Sequence, residues 1–99
     1  MRVNINSVHF KADQKLETFI QQKIDKLTNH YDDILAGDVH LKLDNNSVPE
    51  NKIAEIKLLL KGNDVYAKKQ SKSFEEATDI AIEALRKQLR KHKEKIRNK

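Results

Sequence analysis

The sequence predicts an α+β fold in a single domain spanning 1–99. The expected order is β-α-β-β-β-α, a four-stranded mixed sheet with two helices on one face. Three observations lead there. Apolar residues recur at helical spacing in two segments, they alternate in the segments between, and a glycine-centred turn divides the last two alternating runs.

Val3 and Ile5, followed after a break by Val8 and Phe10, mark a first strand over residues 2–9. Asp13 can cap a helix over residues 14–30, because its carboxylate can accept N–H groups left free in the first turn. Leu16, Phe19, Ile20, Ile24, Leu27 and Tyr31 fall on one face of that helix. Asp32-Asp33 and Gly37-Asp38 read as the exit turn. Val39, Leu41 and Leu43 alternate with His40 and Lys42, the pattern of a half-buried strand, and residues 45–51 read as a loop. Ala54, Ile56, Leu58 and Leu60 alternate through a third strand.

Gly62-Asn63 suits a two-residue hairpin turn, since both residue types tolerate positive φ. That turn would pair Leu60 with Val65, Leu58 with Ala67 and Ile56 with Lys69. Ser73-Phe74-Glu75-Glu76 has the form of a capping box and opens a last helix over residues 74–96. Its apolar stripe runs through Phe74, Ala77, Ala81, Leu85 and Leu89. Beyond Leu89 the only apolar residue is Ile96, so residues 90–99 are expected to project from the core as a basic helix end. The first βαβ unit needs a crossover, which makes the first two strands parallel with a right-handed connection. The expected core unites Leu16, Ile20, Ile24, Leu27, Leu41, Leu58, Leu60, Val65, Ala81, Leu85 and Leu89.

Composition narrows function. The chain has no cysteine, which excludes disulfides, thiolate chemistry and cysteine zinc sites. No apolar run reaches the length of a signal peptide or a membrane span, so the expected location is cytoplasmic, with no membrane partner. The net charge of +5 is unevenly spread. Residues 86–99 hold eight Lys or Arg and one acid, a local charge of +7, while the other 85 residues sum to −2.

Arg86, Arg90, Lys93 and Arg97 share one helical stripe, and Lys87, Lys91 and Lys95 another. Basic residues near a helix C-terminus are favoured by the macrodipole, but that effect fades within the last turn. This cluster extends over about 21 Å at ~1.5 Å per residue. A site for phosphates fits it better than a solvated charged face. Lysine, a point charge, predominates, which points to backbone contacts rather than base readout. On the first helix, Lys15, Lys23, Lys26 and His30 line one edge of the apolar face. An ordinary polar helix edge is an equal reading there. Lys23 lies close enough to the apolar stripe to snorkel.

The open sheet face would carry His40, Lys42, Lys57, Leu59, Tyr66 and Lys68. An RRM-type platform needs two or three exposed aromatics, and only Tyr66 qualifies. An ordinary solvent face is the expectation. Catalysis is not expected. The four histidines are scattered over different elements, two glycines cannot build a phosphate-binding loop, and Asp32-Asp33 reads as turn chemistry. Glu75, Glu76, Asp79 and Glu83 suit the positive end of the last helix's dipole. No cofactor and no metal site is expected.

The segment Leu85-Arg86-Lys87-Gln88-Leu89-Arg90-Lys91-His92-Lys93-Glu94-Lys95 resembles the basic C-terminal helix of the ribosome hibernation-promoting factors, whose relatives were once called sigma-54 modulation proteins. Gln22-Lys23-Ile24-Asp25-Lys26-Leu27, followed by Tyr31, is similar to the family's first helix. The resemblance covers nearly the whole chain.

The resemblance implies a dsRBD-like fold, that of a double-stranded-RNA-binding domain preceded by a strand. It implies binding between the head and body of the small ribosomal subunit, where mRNA and the A- and P-site tRNAs bind, and silencing of idle ribosomes. The implied partners are the small subunit and its 16S rRNA, with other hibernation factors as further candidates, and the free chain is expected to be a monomer. By resemblance, Lys23, Lys26, Lys87, Lys91, Lys93 and Lys95 contact rRNA. Arg86 and Arg90 join them on geometry.

Where the family often opens its last helix with Asp-x-Tyr, this chain has Ser73-Phe74-Glu75, so an acid stands in the aromatic position. Asp79 does match. The chain resembles the short family forms, without the additional domain by which long members pair ribosomes. Two other functions compete: a general double-stranded-RNA binder, and a protein–protein regulator such as a sigma-factor modulator.

Overall fold

The computed structural model describes residues 2–8, 10–31, 33–44 and 49–97, the last four as backbone alone. Six elements follow the expected order: β1 (Arg2–Ser7), α1 (Gln14–Thr28), β2 (Ile34–Leu43), β3 (Lys52–Leu60), β4 (Asn63–Ser71) and α2 (Phe74–Arg97). The sheet runs β1-β2-β3-β4, with β1 parallel to β2 and the remaining pairs antiparallel. The mixed sheet is therefore the one expected from the crossover after β1.

Both helix starts form as their sequences dictate. The Asp13 Oδ1 accepts the Leu16 N–H at 2.8 Å, and the Ser73 Oγ accepts the Glu76 N–H at 3.1 Å. Each cap of this kind is worth about 1 kcal/mol. The two helices then bury one stripe each against the sheet. Leu16, Ile20, Ile24 and Leu27 of α1 meet Phe74, Ala77, Ala81, Ile82, Leu85 and Leu89 of α2 over Val39, Leu41, Ala54, Ile56, Leu58, Leu60, Val65 and Ala67. All eleven residues of the expected core are buried. Phe10 closes one end by stacking on Phe74, with ring centroids 4.9 Å apart.

Three features depart from the sequence reading. Gly37-Asp38 is not a turn: it lies inside β2, which already begins at Ile34. Burying a residue such as Ile34 contributes roughly 1.5–3 kcal/mol. That exceeds the roughly 0.5–1 kcal/mol that a glycine costs within a strand. Between Ile34 and Ala36 the register shifts, as Ile34 faces Leu60 and Ala36 faces Leu59. The extra residue, Leu35, is 54% exposed. This is the two-against-one arrangement of a β-bulge.

The hairpin turn is Lys61-Gly62 rather than Gly62-Asn63, so Leu60 faces Asn63, Leu58 faces Val65 and Ile56 faces Ala67. Gly62 takes φ of +80°, which glycine adopts without steric cost, and Asn63 is spared that conformation. Moving the turn by one residue moves each partner by two, which leaves every side chain on its expected face.

Element ends also move. β1 stops at Ser7, although the Val8 N–H still bonds the Leu41 carbonyl at 2.9 Å, and α1 stops at Thr28. Leu43, at the end of β2, is 41% exposed rather than packed. Asp32 of the expected exit turn and residues 45–48 of the expected loop lie outside the described residues.

Candidate nucleic-acid interface

Burial sets the rotation of both helices, and rotation brings their cations together. With Ile24 and Leu27 turned into the core, Lys23 and Lys26 flank the side of α1 that meets α2. With Leu85 and Leu89 buried, Arg86, Arg90 and Lys93 turn toward α1. The result is a continuous cleft between the helices. Its first part is lined by Lys23, Lys26, His30, Asp79, Ile82, Glu83 and Arg86. Its second part is lined by Leu27, His30, Tyr31, Arg86, Arg90 and Lys93, so His30 and Arg86 belong to both.

Charge is graded along this cleft. In the first part, the Lys23 Nζ lies 3.1 Å from the Asp79 carboxylate and 5.4 Å from the Phe19 ring centroid. Lys23 thus snorkels as its sequence position suggested. Arg86 Nε lies 3.6 Å from the Glu83 carboxylate. In both pairs the side chains are partly exposed, and such pairs are worth about 0–1 kcal/mol, so a phosphate can displace the acid at little cost. Among the described residues the second part has three cations and no acid in its lining. The Arg86 Nε atom is sealed from solvent and has no hydrogen-bond partner among the described residues. The only acid it faces among the described residues is Glu83, at a distance too long for a hydrogen bond.

The distal end of α2 is gripped by the connection between α1 and β2. The His92 Nε2 and Asp33 Oδ2 are 2.9 Å apart, and the Lys93 ammonium lies 5.7 Å from the Tyr31 ring centroid. Neither contact is visible in local sequence, since Asp33 and His92 are far apart along the chain. Lys87 and Lys91 lie outside the cleft and are exposed. The side chains of Lys95 and Arg97 lie outside the described residues. Lys15 parts company with the other α1 cations: it lines a separate shallow surface with Gln14, Thr18, Phe19 and Gln22. Asp79 and Glu83, read from sequence as dipole partners, are also cleft residues.

The Sigma 54 modulation protein / S30EA ribosomal protein family matches this chain over residues 3–97. The chain belongs to that family. It is 30% identical over 95 residues to the ribosome hibernation promoting factor of Pseudomonas putida, covering 96% of this chain and 89% of that protein. It is 26% identical over 99 residues to the ribosome hibernation promotion factor of Bacillus subtilis, of which it covers 52%. Two solved structures share the fold. A ribosomal subunit interface protein from Coxiella burnetii has a TM-score of 0.84 at 18% identity, covering 94% of this chain and 98% of that one. The Protein Y N-terminal domain of Thermus thermophilus has a TM-score of 0.79 at 20% identity, covering 93% and 99%. Every cleft residue lies within the family match.

The opposite face of the sheet is organised differently. The Lys42 Nζ lies 2.7 Å from Glu55, and the Lys57 Nζ 3.6 Å from Asp64. Hydrogen bonding to Lys42 holds the Glu55 carboxyl below its ordinary range, and the same bond raises Lys42. Tyr66 is raised, by burial first and by the neighbouring Glu55 charge second. Among the described residues no three His, Asp or Glu side chains converge as metal ligands, and no helix is long and apolar enough to cross a membrane.

Proposed function

We propose that this protein is a ribosome hibernation factor of the cytoplasm. In this reading it binds the small ribosomal subunit in the decoding region and inhibits translation by occupying the space of mRNA and tRNA. The observation that carries the proposal is the cleft between α1 and α2, where Arg86, Arg90 and Lys93 converge and neither Arg90 nor Lys93 has an ion-pair partner among the described residues. Such a surface replaces counterions on 16S rRNA phosphates and requires no chemical reaction. Family membership and the ribosome hibernation names of its relatives support the same reading. Lys23, Lys26, Arg86, Arg90 and Lys93 would contact phosphates from the cleft. Lys87 and Lys91 would do so from its outer rim, and Lys95 from the helix end beyond.

Sucrose-gradient sedimentation of the protein with purified subunits tests the assignment. Co-sedimentation with the small subunit, and release by mRNA with initiator tRNA, is the expected result. Stable co-occupancy with both ligands in their normal places would rule out occlusion. Equal affinity for arbitrary duplex RNA would indicate a general double-stranded-RNA binder. A nuclease-resistant protein partner would indicate a regulator of another kind.

A further inference from the structure

One exposed aromatic residue lies on the open sheet face, its backbone bonded by α2 and its hydroxyl by the neighbouring strand. Gln88 of α2 reaches round the outer edge of β4. Its Nε2 donates to the Tyr66 carbonyl at 2.7 Å, and its Oε1 accepts the Tyr66 N–H at 3.2 Å. The Tyr66 hydroxyl donates to the Glu55 carboxylate at 3.3 Å, and Lys42 in turn holds Glu55. The residue directly opposite Tyr66 on β3 is Lys57, and Glu55 lies two positions farther along. A ring whose hydroxyl reaches that far along the neighbouring strand lies along the sheet instead of standing on it. One π-face is then turned outward, in keeping with an exposure of 49%.

An ordinary solvent-facing tyrosine keeps its rotamer freedom. Here the hydroxyl bond to Glu55 restricts that freedom in the free protein, so a partner that covers the ring meets a smaller ordering cost. The polar end of the ring is occupied by Glu55, which leaves the π-face as the surface on offer. The surrounding charge specifies the partner further. Lys68 follows on the same face of β4, and Lys87 and Lys91 flank Gln88 on α2. Lys68 stands directly opposite Glu55 and shares its charge with Lys42, while Lys87 and Lys91 have no ion-pair partner among the described residues. Cations flanking an aromatic face are the two components of single-stranded nucleic-acid binding, in which bases stack and phosphates are neutralised.

We propose that Tyr66 is a stacking platform for an unpaired RNA base, with Lys68, Lys87 and Lys91 holding the adjoining phosphates. The site rests on the RNA-binding reading above but lies apart from the cleft, round the β4 edge from it. Gln88 links the two regions mechanically, because it belongs to the helix that carries the cleft cations. Stacking does not depend on base identity, so the site should accept any sequence.

The chain has no tryptophan and two tyrosines, so the intrinsic fluorescence of a Tyr31→Phe protein reports Tyr66 alone. Titration with a short single-stranded oligoadenylate should quench that signal to saturation, and an abasic oligomer of equal length should not. Tyr66→Ala should weaken oligoadenylate binding about 5- to 150-fold, the range of one stacked base. Tyr66→Phe, which keeps the ring, should bind nearly as wild type. Tyr66→Leu controls for lost packing, and melting curves of all variants separate folding from binding. Unquenched fluorescence with the oligomer bound, or wild-type affinity in a folded Tyr66→Ala protein, overturns the platform. If Arg86→Glu with Arg90→Glu weakens ribosome binding while Tyr66→Ala does not, the platform fails and the rRNA reading stands. If none of these variants alters ribosome association, both fail together.

Discussion

On the open sheet face, Lys42 lies 2.7 Å from Glu55 and Lys57 3.6 Å from Asp64. In the cleft between the helices, Arg86, Arg90 and Lys93 converge beside His30 and Tyr31, with no acid among the described residues of that part of the lining. Both regions contain ion pairs, but in the cleft Lys26, Arg90 and Lys93 have none among the described residues. The number of lysines does not separate them; the position of the carboxylates does. A phosphate at Lys42 has to displace the close pair with Glu55, whereas at Arg90 and Lys93 it displaces no ion pair among the described residues. The cleft concentrates field and counterions, which are released when RNA binds.

Both regions rest on one core, and the largest expected effect tests that. Leu58 is fully buried in that core. Leu58→Ala should cost about 2–5 kcal/mol. In a domain of this size each kcal/mol lowers the melting temperature by roughly 4–8 °C. A melting temperature close to wild type would show that the two regions do not share this core.

Next in size is the contrast itself. Arg86→Glu with Arg90→Glu should sharply weaken ribosome binding and flatten its salt dependence, by a slope of about 0.7–0.9 for each phosphate no longer neutralised. Lys42→Gln should leave both quantities near wild type. Equal losses from the two substitutions would erase the distinction between cleft and sheet.

A smaller effect concerns how the cleft is kept in shape. His92→Ala removes the hydrogen bond to Asp33 and should cost about 1 kcal/mol. Because Lys93 and Tyr31 sit beside that bond, ribosome affinity should fall as well, and His92→Gln should restore part of both. Reduced stability with unchanged affinity would assign the His92–Asp33 pair to the fold alone.

The smallest expected effect sharpens the description of the sheet face. The folded-state pKa of Glu55 is depressed, so its stabilisation is present above the ordinary carboxylate range and is lost as pH falls through the folded value. Wild type and Glu55→Gln should therefore differ most near neutral pH and converge in acid. The gap should be modest, because the pair with Lys42 is partly solvated. A gap that widens on acidification would show that the pair is not stabilising.

Much of this fold is legible in the sequence alone. The element order, both helix caps and all eleven core residues follow from patterns confined to a few adjacent positions, which local geometry alone enforces. The hairpin register and the start of β2 depart from their sequence signals for a related reason. Turn propensity at Gly37-Asp38 and Gly62-Asn63 is a local signal, and burial of Ile34 in one case and the positive φ of Gly62 in the other decide the outcome. The basic stripes of the last helix are also readable, but not which of them faces a neighbour.

The sequence by itself therefore determined the fold class, the core and the concentration of positive charge at one end, since each depends on periodicity or composition. Only the tertiary structure decided which cations share a cleft, and that Asp33 holds His92 and Gln88 holds Tyr66. These contacts join residues 59 and 22 positions apart. No local pattern encodes them, because they arise from the angles at which buried stripes make the helices cross the sheet.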